Sequence, residues 1–147
     1  MWSIGVLVTF SLLSTLASDV VHDVSPSTIC EVSRTVSDRP PDDRAASTFA
    51  SPGGTWYANA DRTLWAWWWG KRYNGEYKVL WVRPKGEEVR IRGERLDGSP
   101  AAFGQTFPAT DSRATFTPSS LAFPGPGCWR VNAVSGNAEV EFVVLTR

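Results

Sequence analysis

Apolar and polar residues alternate in short runs along much of this chain. In residues 88–92, Val89 and Ile91 alternate with Glu88, Arg90 and Arg92; in residues 139–145, Val140, Phe142 and Val144 alternate with Glu139 and Glu141. A period of two sends successive side chains to opposite faces, so each run predicts a strand with one wet face. Residues 55–58, 63–69 and 77–83 predict three more strands, the second ended by Gly70 and the third by Pro84-Lys85-Gly86. Residues 29–35 read as a weak strand and 113–116 as a short one, whereas 101–112 read as irregular and Pro-containing. Residues 128–134 and 139–145 form a closing hairpin around Ser135-Gly136-Asn137. Residues 36–54 hold a charged Pro-rich block and end in Ser51-Pro52-Gly53-Gly54, the signature of a long surface loop. No segment sustains a 3.6-residue apolar period, and residues 58–68 are the one stretch where a helix would fit. Short strands punctuated by Gly and Pro predict an all-β fold, an antiparallel two-sheet sandwich with a long N-terminal loop.

Residues 121–134 sharpen that expectation. Leu121 and Phe123 alternate toward a core just before Pro124, and Gly125 and Gly127 permit backbone angles that other residues avoid. In the strand that follows, Trp129, Val131 and Ala133 share one face and Cys128, Arg130 and Asn132 the other. Trp129 is thus expected to anchor the core, with Cys128 at the strand entrance. A Pro/Gly corner of this kind carries a chain from one sheet to the other before a central strand. The layout resembles immunoglobulin-like and fibronectin-like domains. It is also similar to a family of exported bacterial proteins with no assigned function. The shared features are Cys30-Glu31-Val32-Ser33, residues 78–84 (KVLWVRP), residues 91–98 (IRGERLDG), the FPxPGCW corner within 121–131, and Phe142-Val143-Val144. The resemblance implies an immunoglobulin-like sandwich and supplies no catalytic residues. Relatives commonly carry an acidic residue where Arg130 stands.

The first 17 residues carry no charged side chain, and an apolar run from Ile4 to Leu13 ends in Ser14-Thr15-Leu16-Ala17. That pattern predicts a secretory signal peptide over 1–17, an extended lead-in over 18–28 and one domain over 29–147. The alternative is an uncleaved anchor, although the run is short of the ~20 apolar residues a spanning helix needs. The expected location is secreted or in the cell envelope, outside the cytoplasm. The chain has two cysteines, and in an exported protein an even pair suggests a Cys30–Cys128 bridge; two separate buried thiols are the alternative.

Fifteen basic side chains balance fifteen acidic ones. A neutral domain has no electrostatic footprint for nucleic acid. The sole histidine, His22, lies in the lead-in, which removes most His-dependent catalysis and leaves too few ligands for a His/Cys zinc site. Glu87, Glu88, Glu139 and Glu141 are available for carboxylate chemistry, but the last two read as the wet face of a strand. No catalytic residue, metal site or cofactor is expected.

The eight tryptophans are the remaining chemical signal. Alternation puts Trp65, Trp67 and Trp69 on one strand face and Trp68 on the other, so burying all four requires cover on both sides. The run is either core, packed centrally or under the 36–54 loop, or a candidate binding surface. The expectation is a non-catalytic binding or accessory module of the envelope. Its first-ranked partner is a protein, with a glycan on exposed indoles or a purely structural role as alternatives. Membrane contact is expected only if the N-terminal segment stays uncleaved.

Overall fold

The computed structural model describes residues 29–41, 54–109 and 115–147. The expected signal segment 1–17, the lead-in 18–28 and most of the 36–54 loop lie outside the described residues. Eight strands follow one another: β1 (Thr55–Ala58), β2 (Trp65–Tyr73), β3 (Glu76–Val82), β4 (Val89–Arg95), β5 (Ala102–Phe107), β6 (Phe116–Leu121), β7 (Gly127–Ser135) and β8 (Ala138–Thr146). They form two antiparallel four-stranded sheets, β1-β2-β3-β6 and β5-β4-β7-β8. The chain is therefore an all-β sandwich, as the alternation and turn spacing predict.

The sheets face each other across a core in which Trp81, Trp129, Phe142, Val131 and Ile91 are all but fully buried. The polar atoms of those large side chains are satisfied locally. Trp81 Nε1 donates to Ser119 Oγ at 2.8 Å, which in turn donates to the Val79 carbonyl at 3.0 Å. Trp129 Nε1 donates to the Gly125 carbonyl of the Pro/Gly corner at 3.1 Å. The corner crosses from β6 in the first sheet to β7, an interior strand of the second.

Four strand boundaries differ from the alternation reading. Residues 29–35 form no strand; the segment makes one bridge, Val36 to Trp56, and otherwise bonds to several elements. Residues 102–107 are a strand, not irregular chain, because β4 supplies a full ladder from Val89–Phe107 to Glu94–Ala102. There Gly93 makes room for Phe103: a Cβ on Gly93 would fall 1.9 Å from the Phe103 ring. Phe103 thereby reaches Phe123 and Trp129 in edge-to-face contacts at 4.8 and 5.7 Å. Gly70 does not end β2. It adopts φ +70° inside a bulge between Trp68 and Arg72, after which pairing resumes through the Asn74-Gly75 turn, both residues at positive φ. Of the strand expected over 113–116, residues 113 and 114 lie outside the described residues; the observed strand β6 starts at Phe116 and runs on to Leu121.

The N-terminal segment straps the sandwich along one side. Cys30 is disulfide-bonded to Cys128 of β7. Ser33 exchanges two hydrogen bonds with Val143 of β8, N to carbonyl at 3.0 Å and Oγ from Val143 N at 2.8 Å. Val36 then bonds to Trp56 of β1 at 2.9 Å. On the opposite side, Gln105 of β5 donates to the Ser120 carbonyl and accepts from Ala122 N, both at 3.2 Å. Each open side of the sandwich is thus laced to the other sheet.

Beside the disulfide, Asp97 Oδ1 accepts from Cys128 N at 2.9 Å and from Arg95 Nε at 3.1 Å. The Cys128 amide, then the Arg95 guanidinium, hold its carboxyl below the ordinary Asp range. Leu96 N donates to the Cys128 carbonyl at 2.8 Å, so the β4–β5 turn grips β7 at the bridge.

Two expected outcomes follow from these contacts. Gly93→Ala forces the Phe103 ring out of its seat and lowers stability by about 1–3 kcal/mol, read from urea unfolding curves. Asp97→Asn makes the protein less stable at neutral pH. Because the native carboxyl is depressed, its contribution is complete above the unfolded value near about pH 4 and is lost as pH falls through the native one. The difference between wild type and variant therefore narrows in urea titrations carried from pH 7 to below about pH 4; a gap independent of pH contradicts the assignment.

Candidate binding surface

The first sheet is built from the tryptophan run, and the alternation within β2 splits it between two faces. Ala66 and Trp68 point between the sheets, where Trp68 stacks on Tyr77 at 5.0 Å and meets Phe123 edge-on at 5.9 Å. Trp65 and Trp67 point outward into a second apolar cluster with Trp56, Leu80 and Val82, flanked by Val36, Ala58, Trp69 and Phe116. This outer cluster is buried too: Trp65 and Trp67 are 2% and 5% exposed, as little as the inward Trp68 at 6%. Trp69 is half-buried.

The described cover over the outer face is specific. Gly54 lies against Trp67 so closely that a Cβ there would sit 2.1 Å from the indole. Arg62 places its guanidinium 5.6 Å from the centre of the Trp65 ring and pairs with Asp38 at 3.0 Å, while its carbonyl accepts from Trp65 Nε1 at 2.8 Å. Asp38 belongs to the segment that continues from Val36, and Pro40 beyond it is almost wholly buried. Arg62 itself stands at φ 57°, in a loop organised by Asn59, whose Oδ1 accepts from Thr63 N and Leu64 N. Cover on the outer face thus accounts for Trp65 and Trp67, and the inter-sheet core for Trp68.

Past the Gly70 bulge the cover supplied by the described residues ends. A groove of about 220 Å³ opens on the outer face, lined by Trp67, Trp69, Lys78, Leu80 and Pro118 among others. Tyr73 stands beside it with 56% of its surface exposed. Lys78 Nζ lies 5.7 Å from the Tyr73 ring centre and donates to Ser120 Oγ at 2.5 Å; Lys71 Nζ lies 5.4 Å from the Trp69 ring centre. Cations over aromatic faces are held by the ring quadrupole and still offer charge to a partner. The groove has an apolar floor, an aromatic wall and a basic rim. Lys71, Tyr73, Lys78 and Pro118 are not legible as site residues if Gly70 ends the strand. The Asn74-Gly75 pair is the available signal: a hairpin there places Tyr73 and Lys78 on one face.

No family model, curated protein or solved structure matches the chain.

Two ionisable groups elsewhere, Arg83 and Tyr57, are shifted by their surroundings. Burial pulls the Arg83 guanidinium below its usual range, opposed by the Glu87 charge; Arg83 Nε donates to Thr117 Oγ1 at 2.7 Å. Burial pushes the Tyr57 phenol up, and its ring lies parallel to Phe142 at 4.4 Å. Among the described residues, no three His, Cys, Asp or Glu side chains are grouped to hold a metal ion. Glu139 accepts from Asn132 at 2.6 Å and Glu141 pairs with Arg130 at 3.6 Å, on the exposed face of the second sheet.

The two roles of aromatic residues on this face separate in stability measurements. Trp67→Ala empties a covered site and costs about 3–5 kcal/mol, whereas Tyr73→Ala changes stability by no more than about 0.5 kcal/mol; thermal and urea melts of the two variants check the contrast.

Proposed function

We propose that this protein is a non-catalytic, exported binding or accessory module of the cell envelope, and that it grips a protein partner at the groove beyond the Gly70 bulge. The observation that carries the reading is the juxtaposition of Trp69, exposed Tyr73 and the Lys71 and Lys78 amines around an apolar floor. Aromatic side chains are favoured at protein interfaces because they bury a large area and keep a polar edge or a wet rim. The partner chemistry that fits is an extended segment presenting an apolar residue to the floor and a carboxylate to the lysines. A disulfide is compatible with a location outside the cytoplasm, and the resemblance to exported bacterial proteins points the same way. The return of β6 beside β3, after two strands in the other sheet, supports reading the sandwich as immunoglobulin-like. Among the described residues of this face, a glycan would have Trp69 and Tyr73 to stack on, since the other indoles of the run are covered.

Capture from the native envelope with a crosslinkable bait tests the proposal. A Tyr73→Ala/Lys78→Glu double variant that melts like wild type is expected to lose the protein recovered by wild type. Equal recovery by both baits overturns the groove. Binding of a glycan array, abolished by Trp69→Ala, establishes the carbohydrate reading instead. If wild type recovers nothing and binds no glycan, a structural role without a discrete ligand takes its place.

A further inference from the structure

Each sheet has two edge strands, and three of these edges are guarded. β1 is four residues long and is bridged by Val36 at Trp56. β8 takes Ser33 at Val143 and carries Glu139 and Glu141 further along. β6 has Pro118 at its middle and is bonded by the Gln105 side chain at Ser120 and Ala122. Short length, charge, Pro and covering segments are the devices that keep a free edge from pairing. β5 has none of them. Its sequence, Ala102–Phe107, reads AFGQTF, and among the described residues β4 is its one strand partner.

The ladder fixes which groups that edge presents. Arg95 N donates to the Ala101 carbonyl at 2.9 Å, so these two residues form a hydrogen-bonded pair. Bonded and non-bonded pairs alternate along an antiparallel ladder. In the register of β4 and β5, Gly93–Phe103, Ile91–Gln105 and Val89–Phe107 are then the bonded pairs, and Ala102, Gly104 and Thr106 turn their N–H and C=O away from β4. All three are exposed, and each offers one donor and one acceptor.

Arg92 stands in register with Gly104. The charges near it are taken: Arg130 reaches Glu94 at 3.4 Å and Glu141 at 3.6 Å, and Arg90 reaches Glu88 at 3.6 Å. Arg92, among the described residues, has no ion pair or hydrogen bond. Hollows of about 370 and 750 Å³ on this face are both lined by Arg92 and Gly104. Packing does not demand a glycine at position 104. Its φ is not positive, and a Cβ there would meet only the Ile91 carbonyl, at 3.7 Å. A glycine inside a strand often marks the close approach of a ligand or another backbone.

We infer that β5 receives an added antiparallel strand from a partner polypeptide, with an acidic side chain opposite Gly104. The main chain of that segment bonds to Ala102, Gly104 and Thr106, the mode of strand addition at a sheet edge. Its carboxylate crosses the bare backbone of Gly104 to Arg92. Two strand spacings, about 10 Å, separate the residues, a gap that an arginine and a glutamate side chain span together. The neighbouring row sets the position: an acidic residue opposite Ala102 would face Glu94, whereas one opposite Gly104 faces the unpaired guanidinium. Alternate residues of the segment turn to the other face, where apolar side chains cover the half-buried Phe103 and Phe107. β5 itself holds no acidic residue, so a second copy joined through the same edge would bring Arg92 no carboxylate on the added strand. The site lies on the second sheet, and its fate is independent of the role of the groove on the first.

Hydrogen exchange and a peptide titration, both followed at the backbone amides by NMR, test the inference. In the free protein the Ala102, Gly104 and Thr106 amides are expected to exchange fast and those of Phe103, Gln105 and Phe107 slowly. The probe is an end-capped peptide of alternating valine and threonine, with one glutamate in a central threonine place. It is expected to shift and protect the Ala102, Gly104 and Thr106 amides. A peptide with lysine in place of the glutamate should bind roughly tenfold or more weakly. Arg92→Glu, at an exposed position and expected to keep the wild-type melting curve, should reverse that order. Methylating the peptide nitrogens that face β5 should abolish the shifts. No shift at these amides up to about 1 mM peptide overturns the inference. So does equal binding of the glutamate and lysine peptides, or a response confined to Trp69, Tyr73 and Lys78 in the groove. Gly104 shifts that follow protein concentration without peptide assign the edge to a second copy and overturn it too.

Discussion

The first sheet is apolar on both of its faces, and most of the architecture answers that constraint. A half-buried sheet needs cover on one side only; one with Trp68, Val79 and Trp81 inward and Trp65, Trp67 and Leu80 outward needs it on two. The second sheet covers the inner face. The outer face takes Val36, Gly54 and the Arg62–Asp38 pair. Where the cover from the described residues stops, at the Gly70 bulge, the apolar surface that remains forms the groove. The candidate binding surface is thus the unfinished end of a packing problem, bordered by lysines that hold it in water.

The strap of residues 30–36 does more than cover. It contacts β7, β8 and β1 in turn, so it spans an edge of each sheet. An exposed edge strand offers unpaired backbone groups to any other strand. Ser33 satisfies the Val143 amide and carbonyl, and across the sandwich Gln105 does similar work for Ser120 and Ala122 with a single side-chain amide. In the chain-entropy picture, closing a 98-residue loop restricts the unfolded chain by about 4–5 kcal/mol. The same bond fixes the start of the strap against an interior strand.

What could be read from residue order follows the range of the interactions involved. Alternation within 128–134 and 139–145 sorts Trp129, Val131, Phe142 and Val144 from Arg130 and Glu141, because a strand's two faces depend only on its own period. The same rule divides Trp68 from Trp65 and Trp67. Their burial depends on chain distant in sequence, and no local pattern states it. Residues 102–107 look irregular because Gly104 and the flanking prolines weaken a strand signal; pairing with β4 and the seat over Gly93 override it. Residues 29–35 fail in the opposite sense. Their pattern suits a strand, but a segment that must touch three strands in two sheets cannot ladder with any of them. The groove is hidden behind a single glycine that, in sequence, looks like a stop.

The Cys30–Cys128 bond also sets an order of events during synthesis. A chain emerges N-terminus first, so Cys30 waits through 98 residues before its partner exists. Over that interval β1, β2 and β3 can form, presenting the indoles of Trp65 and Trp67 with no strap yet locked above them. The corner at Phe123–Trp129 is what brings Cys128 to Cys30 and locks the start of the strap.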